Sequence, residues 1–179
     1  MSFDDLQQRE DEAGIRRSQA YFHSLIATEI EKGIPSDRIV LGGFSQGGAM
    51  SIMSGITCPT KLGGIFGLSC YLLLQGKIKD MVPKDNPNKV DLSRESHVDL
   101  QTNGDQDTQI FMGHGDSDQV VRYDWGKRTA DRLKEWGWNV DFRTYAGLPH
   151  SADPDEIDHL EAYLKQRIPD QGDKAGRSL

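Results

Sequence analysis

Cysteine is scarce: Cys58 and Cys70 are the only two in 179 residues, too few for a disulfide framework. No apolar run approaches the ~20 residues of a membrane-crossing helix. Aromatic residues make up 8% of the chain, and the basic residues are scattered among more numerous acidic ones, for a net charge of -7. That balance lacks the basic stripe of a nucleic-acid binder. No histidine or cysteine pair stands at metal-ligand spacing, and no phosphate loop or dinucleotide fingerprint occurs. The start, Met1-Ser2-Phe3-Asp4-Asp5, is polar and acidic, so neither a signal peptide nor a transit peptide is expected. These features fit a reduced, cytoplasmic protein without cofactor or metal. They leave transient lipid attachment and peripheral membrane contact open, as well as the oligomeric state.

Helical and strand patterns alternate along the chain. Ala13 to Lys32 reads as a helix, with Ile15, Phe22, Leu25, Ile26 and Ile30 near one face, stopped by Gly33-Ile34-Pro35. Arg38–Gly42 reads as a strand, Gln46–Ile56 as a helix and Leu62–Ser69 as a buried strand. Gln109–Gly113 and Asn139–Tyr145 are further strands, with a helix over Tyr123–Trp136 between them. Asp153 caps a last helix with Pro154 at its first position and Ile157, Leu160, Leu164 and Ile168 inward. The stretch 75–108 is charged and carries Pro83 and Pro87, so it reads as a long excursion or insertion, partly mobile. Residues 170–179 read as a flexible tail. The expected architecture is a single α/β domain over 1–179, a mostly parallel sheet flanked by helices.

One stretch concentrates the chemistry. Gly43-Phe44-Ser45-Gln46-Gly47 follows an apolar strand and opens a helix of small residues. A serine at such an apex has a strained backbone, and side chains two positions before and after it are expected to collide. It also sits at a helix N-terminus, where free N–H groups favour developing negative charge.

A serine needs a base, and the base needs an orienting acid. Candidates follow in the order serine, acid, histidine, each just after an expected strand. The acid lies in His114-Gly115-Asp116-Ser117-Asp118, where Asp118 is preferred and Asp116 is assigned to holding the turn together. The base is His150, between the last strand and the last helix, at the sheet end that carries Ser45. His23, His97 and His159 are poorly placed, and His114 opens the acid loop and shapes it. In the resulting scheme His150 takes the proton of Ser45, Ser45 attacks an acyl carbonyl, and the Gln46 amide donates to the oxyanion.

Arg38-Ile39-Val40-Leu41-Gly42-Gly43-Phe44-Ser45-Gln46-Gly47-Gly48-Ala49 resembles the signature of acyl-protein thioesterases in the phospholipase/carboxylesterase family. Glu31-Lys32-Gly33-Ile34-Pro35-Ser36-Asp37, Gly67-Leu68-Ser69-Cys70-Tyr71-Leu72, the 114–118 run and Thr144-Tyr145-Ala146-Gly147-Leu148-Pro149-His150 resemble it too. The resemblance implies an α/β-hydrolase fold. It implies hydrolysis of palmitoyl-thioesters on S-acylated proteins such as G-protein α subunits and Ras-like GTPases, in the cytoplasm and the nucleus. It makes Ser45 the nucleophile, Asp118 the acid and His150 the base. Tyr71, Leu72 and Leu73 would line the acyl-chain path; core packing is the equal alternative for them.

Two departures from the family pattern stand out. Family members carry a preceding segment with the first strands of the sheet and a His-Gly-rich loop that supplies a second oxyanion donor. The chain is therefore expected to form a partial domain lacking those first strands. No proline follows Tyr71-Leu72, and 75–108 is long. A broad carboxylesterase or lysophospholipase, and a truncated non-catalytic remnant, are the competing readings.

Overall fold

The computed structural model describes residues 10–89 and 107–172. Asp11 opens helix α1 (Glu12–Glu31) by accepting the Gly14 amide on its carboxylate at 3.0 Å, which satisfies one of the free donors of a helix start. Gly33, at φ 96°, ends it. A single tight turn over Ser36–Arg38 leads into β1 (Val40–Phe44), and Ser45 alone separates β1 from α2 (Gln46–Ile56). Then come β2 (Gly64–Leu68), the short α3 (Ile78–Met81), β3 (Ile110–Gly115), α4 (Tyr123–Glu135), β4 (Val140–Tyr145) and α5 (Pro154–Arg167).

The four strands lie in sequence order, β1-β2-β3-β4, all parallel. Period-two alternation sorts their side chains onto two faces. Leu41, Ile65, Ile110, Met112 and Phe142 join α1, α2 and α4 in the main core, through Ile26, Ile52, Met53, Ile56 and Leu133. Val40, Phe66, Leu68 and Phe111 turn the other way and meet Leu160, Tyr163 and Leu164 of α5. The Tyr163 hydroxyl accepts the Ile65 amide at 2.9 Å and donates to the Gln109 carbonyl at 2.7 Å, which pins α5 across the start of the sheet. Both faces are thus covered by helices, and the carboxyl ends of all four strands point to one rim. Among the described residues β1 is an edge strand.

Several expectations shift. The turn at Ser36–Arg38 consumes the residues expected to begin the first strand, so β1 starts at Val40. Strand β3 continues past Gly113, because His114 and Gly115 pair with Thr144 and Tyr145. On α1, Leu25 is 46% exposed, and Ile26 takes the buried position. On α5 Glu156 and Tyr163 are buried, Leu160 and Leu164 are half-buried against the sheet, and Ile157 is 46% exposed. Tyr163 sets that rotation, since its hydroxyl is the group that reaches the sheet backbone.

The excursion needs the largest correction within its described part. Ile78 is fully buried. So is Asn88, whose side chain accepts the Leu62 amide at 2.7 Å and donates to the Thr60 carbonyl at 2.9 Å. Thr108 donates its hydroxyl to the same Asn88 oxygen at 2.8 Å. Polar asparagines that suggest a solvated loop are here a buried hub tying the excursion to the approach to β2. The remainder of 75–108, the start before Glu10 and the tail beyond Gly172 lie outside the described residues.

Candidate active site

Ser45 has φ 55° and ψ -125°, a left-handed conformation that costs a non-glycine residue of order 1–3 kcal/mol. Its amide donates to the Leu68 carbonyl at 2.8 Å, and its carbonyl accepts the Ala49 amide at 3.0 Å. The elbow is therefore tied to β2 on one side and to α2 on the other. A Cβ on Gly43 would stand 2.7 Å from the Gly47 carbonyl carbon, and one on Gly48 would stand 2.7 Å from the Gly43 carbonyl oxygen. A Cβ on Gly47 meets open space. The close approach expected at Gly43 and Gly47 is thus a requirement at Gly43 and Gly48. The helix turns the Gly48 side of its first turn onto β1 and the Gly47 side outward.

Ser45 Oγ is 3.0 Å from His150 Nε2, and His150 Nδ1 is 2.7 Å from Asp118 Oδ2. Oδ1 of Asp118 accepts the Val120 and Val121 amides at 2.9 and 3.0 Å, and the residue is 3% exposed. The three sequence-predicted residues thus meet in one continuous chain of hydrogen bonds. Asp116 stands apart: its carboxylate accepts the Gly147 amide at 2.7 Å, and the Ser117 amide donates to the Leu148 carbonyl at 3.2 Å. Those two bonds fasten the acid loop to the base loop. Gln46 occupies the first position of α2, where its N–H has no intrahelical acceptor. The Phe44 ring, 39% exposed, lies 4.7 Å from the His150 ring and flanks the serine at the open edge.

Of the three residues named for the acyl path or for core packing, Leu72 and Leu73 are buried and Tyr71 is half-buried. Leu72 is fully buried and Leu73 is 4% exposed, both within the main core. The Leu72 amide donates to Thr129 Oγ1 at 2.9 Å. Tyr71 stands edge-on to Trp125, centroids 6.1 Å apart. An open groove of about 580 Å³ instead adjoins the elbow between α1 and α2, with Ile15, Phe22, Gln46, Gly47 and Met50 among its walls.

Sequence reasoning missed two groups beneath the site. Ser69, at φ 46°, ends β2 with its amide donating to Gly113 and its buried hydroxyl without a partner. In the sequence it stands only as one residue of the 67–72 run that resembles the family, with no role of its own. Glu156 is fully buried, and neither carboxylate oxygen is hydrogen-bonded. Burial pushes its pKa up to about 7, helped by the nearby Asp153 charge and opposed by the Asp153 backbone. The spacing Asp153-Pro154-Asp155-Glu156, a helix-start pattern, was its signal. Among the described residues no group of three or more His, Cys, Asp or Glu side chains could hold a metal ion.

A serine at a strand-to-helix elbow, with its acid and histidine delivered by loops after later parallel strands, defines an α/β-hydrolase. A family model described as Phospholipase/Carboxylesterase matches residues 1–94 and 90–168, and the chain belongs to that family. Acyl-protein thioesterase 1 of Neurospora crassa is 51% identical over 174 residues, 97% of this chain and 64% of that protein. The chain thus spans just under two thirds of that relative's length. The crystal structure of Arabidopsis thaliana SOBER1 superposes with a TM-score of 0.74 at 28% identity, over 88% of this chain and 66% of that one. Acyl-protein thioesterase 2 of Zea mays superposes with a TM-score of 0.67 at 25% identity, over 89% of this chain and 67% of that one.

Proposed function

We propose that this chain is a serine hydrolase of fatty-acyl thioesters that removes palmitoyl groups from S-acylated proteins, G-protein α subunits and Ras-like GTPases among them. The observation that carries the reading is the continuous relay from Ser45 Oγ through His150 to Asp118. His150 Nε2 accepts the serine proton as Ser45 Oγ attacks the thioester carbonyl. Asp118 holds Nδ1 protonated and stabilises the imidazolium that forms. The Gln46 amide donates to the oxyanion, the thiol leaves with the proton from His150, and water cleaves the acyl-enzyme by the same path. The names of the thioesterase relatives support the thioester as the bond cleaved. The scarcity of cysteine fits a reducing compartment such as the cytoplasm; the nucleus, and contact at a membrane surface where acylated proteins lie, belong to the same proposal.

The test is labelling with a fluorophosphonate, followed by turnover of palmitoyl-cysteine peptide against short-chain esters. Wild type is expected to label, and Ser45→Ala and His150→Ala are expected not to. Labelling that survives Ser45→Ala removes the nucleophile. A well-folded wild type that never labels favours a non-catalytic hydrolase module.

A second reading, a carboxylesterase or lysophospholipase of broad range, draws on the burial of Leu72 and Leu73 in the core, which leaves them no free surface for a long acyl chain. Faster turnover of short esters than of the palmitoyl-thioester selects it.

A further inference from the structure

His114 approaches the triad acid at Oδ2, the same carboxylate oxygen that holds His150. It lies next to the end of β3 and is fully buried. The ring is boxed by α4. Tyr123 stands edge-on at 5.9 Å and 87°, and a Cβ on Gly126 would be 2.1 Å from Nδ1. Nε2 is 2.8 Å from the Val121 carbonyl oxygen and 3.5 Å from Asp118 Oδ2. A carbonyl only accepts, so Nε2 carries a proton. Nδ1 has no hydrogen-bond partner, which matches an unprotonated nitrogen, and the ring is neutral. Val121 is thereby held at both ends: its amide donates to Asp118 Oδ1, and its carbonyl accepts from His114.

We infer that His114 is a positioning residue for the triad: as the neutral Nε2–H tautomer it clamps the Asp118–Val121 turn and leaves the Asp118 charge to His150. The inference rests on the proposed serine-hydrolase reading. Its physical content is a competition. A charged His114 would form a second ion pair with the same oxygen that orients His150. That would weaken the hold on the base. The groups facing the ring are Asp118 and His150 on the loops, and Tyr123 and Asp124 on α4. Burial depresses the His114 pKa, and His150 adds to that. The Val121 hydrogen bond, Asp118 and Asp124 act in the other direction. Burial is the largest of these, so the neutral form persists beside a carboxylate.

Nitrogen-15 NMR of the imidazole rings in the wild-type chain tests the tautomer directly. A proton on Nε2 and none on Nδ1 is expected across about pH 6–8; an imidazolium or an Nδ1–H ring overturns the proposal. This measurement does not depend on activity. A double-mutant cycle with fluorophosphonate labelling tests the role. His114→Phe keeps a ring but no donor, and is expected to slow labelling about 10- to 100-fold. His114→Gln restores an N–H and is expected to recover most of that loss. Placed on Asp118→Asn, His114→Phe is expected to cost less than about twofold, because the residue acts through Asp118. An equal loss in both backgrounds marks a merely structural residue and overturns the proposal. If His114→Phe does not fold, His114→Gln carries the argument: a folded Gln variant labelling below about a tenth of the wild-type rate overturns it. Wild type that folds with the expected tautomer and does not label overturns the hydrolase reading instead.

Discussion

Asp118 and His150 are joined by a 2.7 Å contact between Oδ2 and Nδ1, and the other oxygen of the same carboxylate is already committed to two backbone amides. That asymmetry predicts the outcome of Asp118→Asn. The amide oxygen stays with Val120 and Val121, so the NH2 group faces His150. Nδ1 must then accept, Nε2 keeps its proton, and the base cannot take one from Ser45. Labelling by a fluorophosphonate is expected to fall by roughly 10⁴-fold, as in serine proteases with the equivalent change. Thermal melting should move little, since the loop amides keep their acceptor. A fall of less than tenfold would show that the acid does not set the tautomer.

The two neighbouring glycines of the elbow should respond in opposite ways. Gly48→Ala drives a methyl to 2.7 Å from the Gly43 carbonyl oxygen and 3.0 Å from Cys70 Cβ. Neither backbone can yield without moving Ser45, so a loss of about 1–3 kcal/mol is expected. Gly47→Ala meets nothing within 4 Å and should be neutral, or stabilising by up to about 1 kcal/mol through helix propensity. Urea unfolding of the two variants decides this, and equal losses would contradict the assigned contact.

The elbow was readable because it is local, and each triad residue because its own short run follows a strand. A strand, one apex residue and a helix of small residues occur in sequence at Val40–Ile56, and Asp118 and His150 each follow a strand. What was hidden depends on pairs distant in sequence. The phase of α5 is set by Tyr163 reaching the Ile65 and Gln109 backbone, which the apolar pattern of Ile157 and Leu160 does not contain. The order in the described part of 75–108 comes from Asn88 bonding residues 20 to 28 positions away. An asparagine that is a loop signal in sequence becomes a core residue once its amide bonds Leu62, Thr60 and Thr108. Tyr71, Leu72 and Leu73 read equally well as acyl path or as core, because hydrophobicity alone does not say which surface a side chain covers.

Asn88→Ala tests the buried hub. It strands the buried Leu62 amide and takes the Asn88 donor from the half-buried Thr60 carbonyl, while the Thr108 hydroxyl keeps the Leu62 carbonyl as acceptor at 3.0 Å. A buried polar group left unpaired costs about 1–3 kcal/mol, so denaturant unfolding should show a loss of at least that size. Asn88→Asp keeps the acceptor but loses the donor to Thr60 and buries a charge, and is expected to be no better. If instead Asn88→Ala unfolds at the wild-type midpoint, the excursion is not anchored there.

Glu156 predicts a dependence of stability on pH. Its carboxyl lies under the triad strand, where a Cβ on Gly113 would be 2.4 Å from Oε1, with Asp153 at the cap of its own helix and Tyr145 on β4 as the charged or titratable neighbours. The pKa is raised from 4.5 to about 7, so the folded chain holds this proton after the unfolded chain has released it. Well below pH 4.5 both states are protonated and the group contributes nothing to the slope. Between 4.5 and about 7 the unfolded state is progressively favoured, by at most about 3 kcal/mol, and above that range the penalty is constant. Glu156→Gln mimics the neutral acid and removes the titration. Other groups, His114 included, titrate alike in both chains, so the difference in unfolding free energy between variant and wild type isolates Glu156. The variant is expected to gain relative to wild type from pH 5 to pH 8, and a difference that does not change with pH would mean that the buried carboxyl is already charged at pH 5.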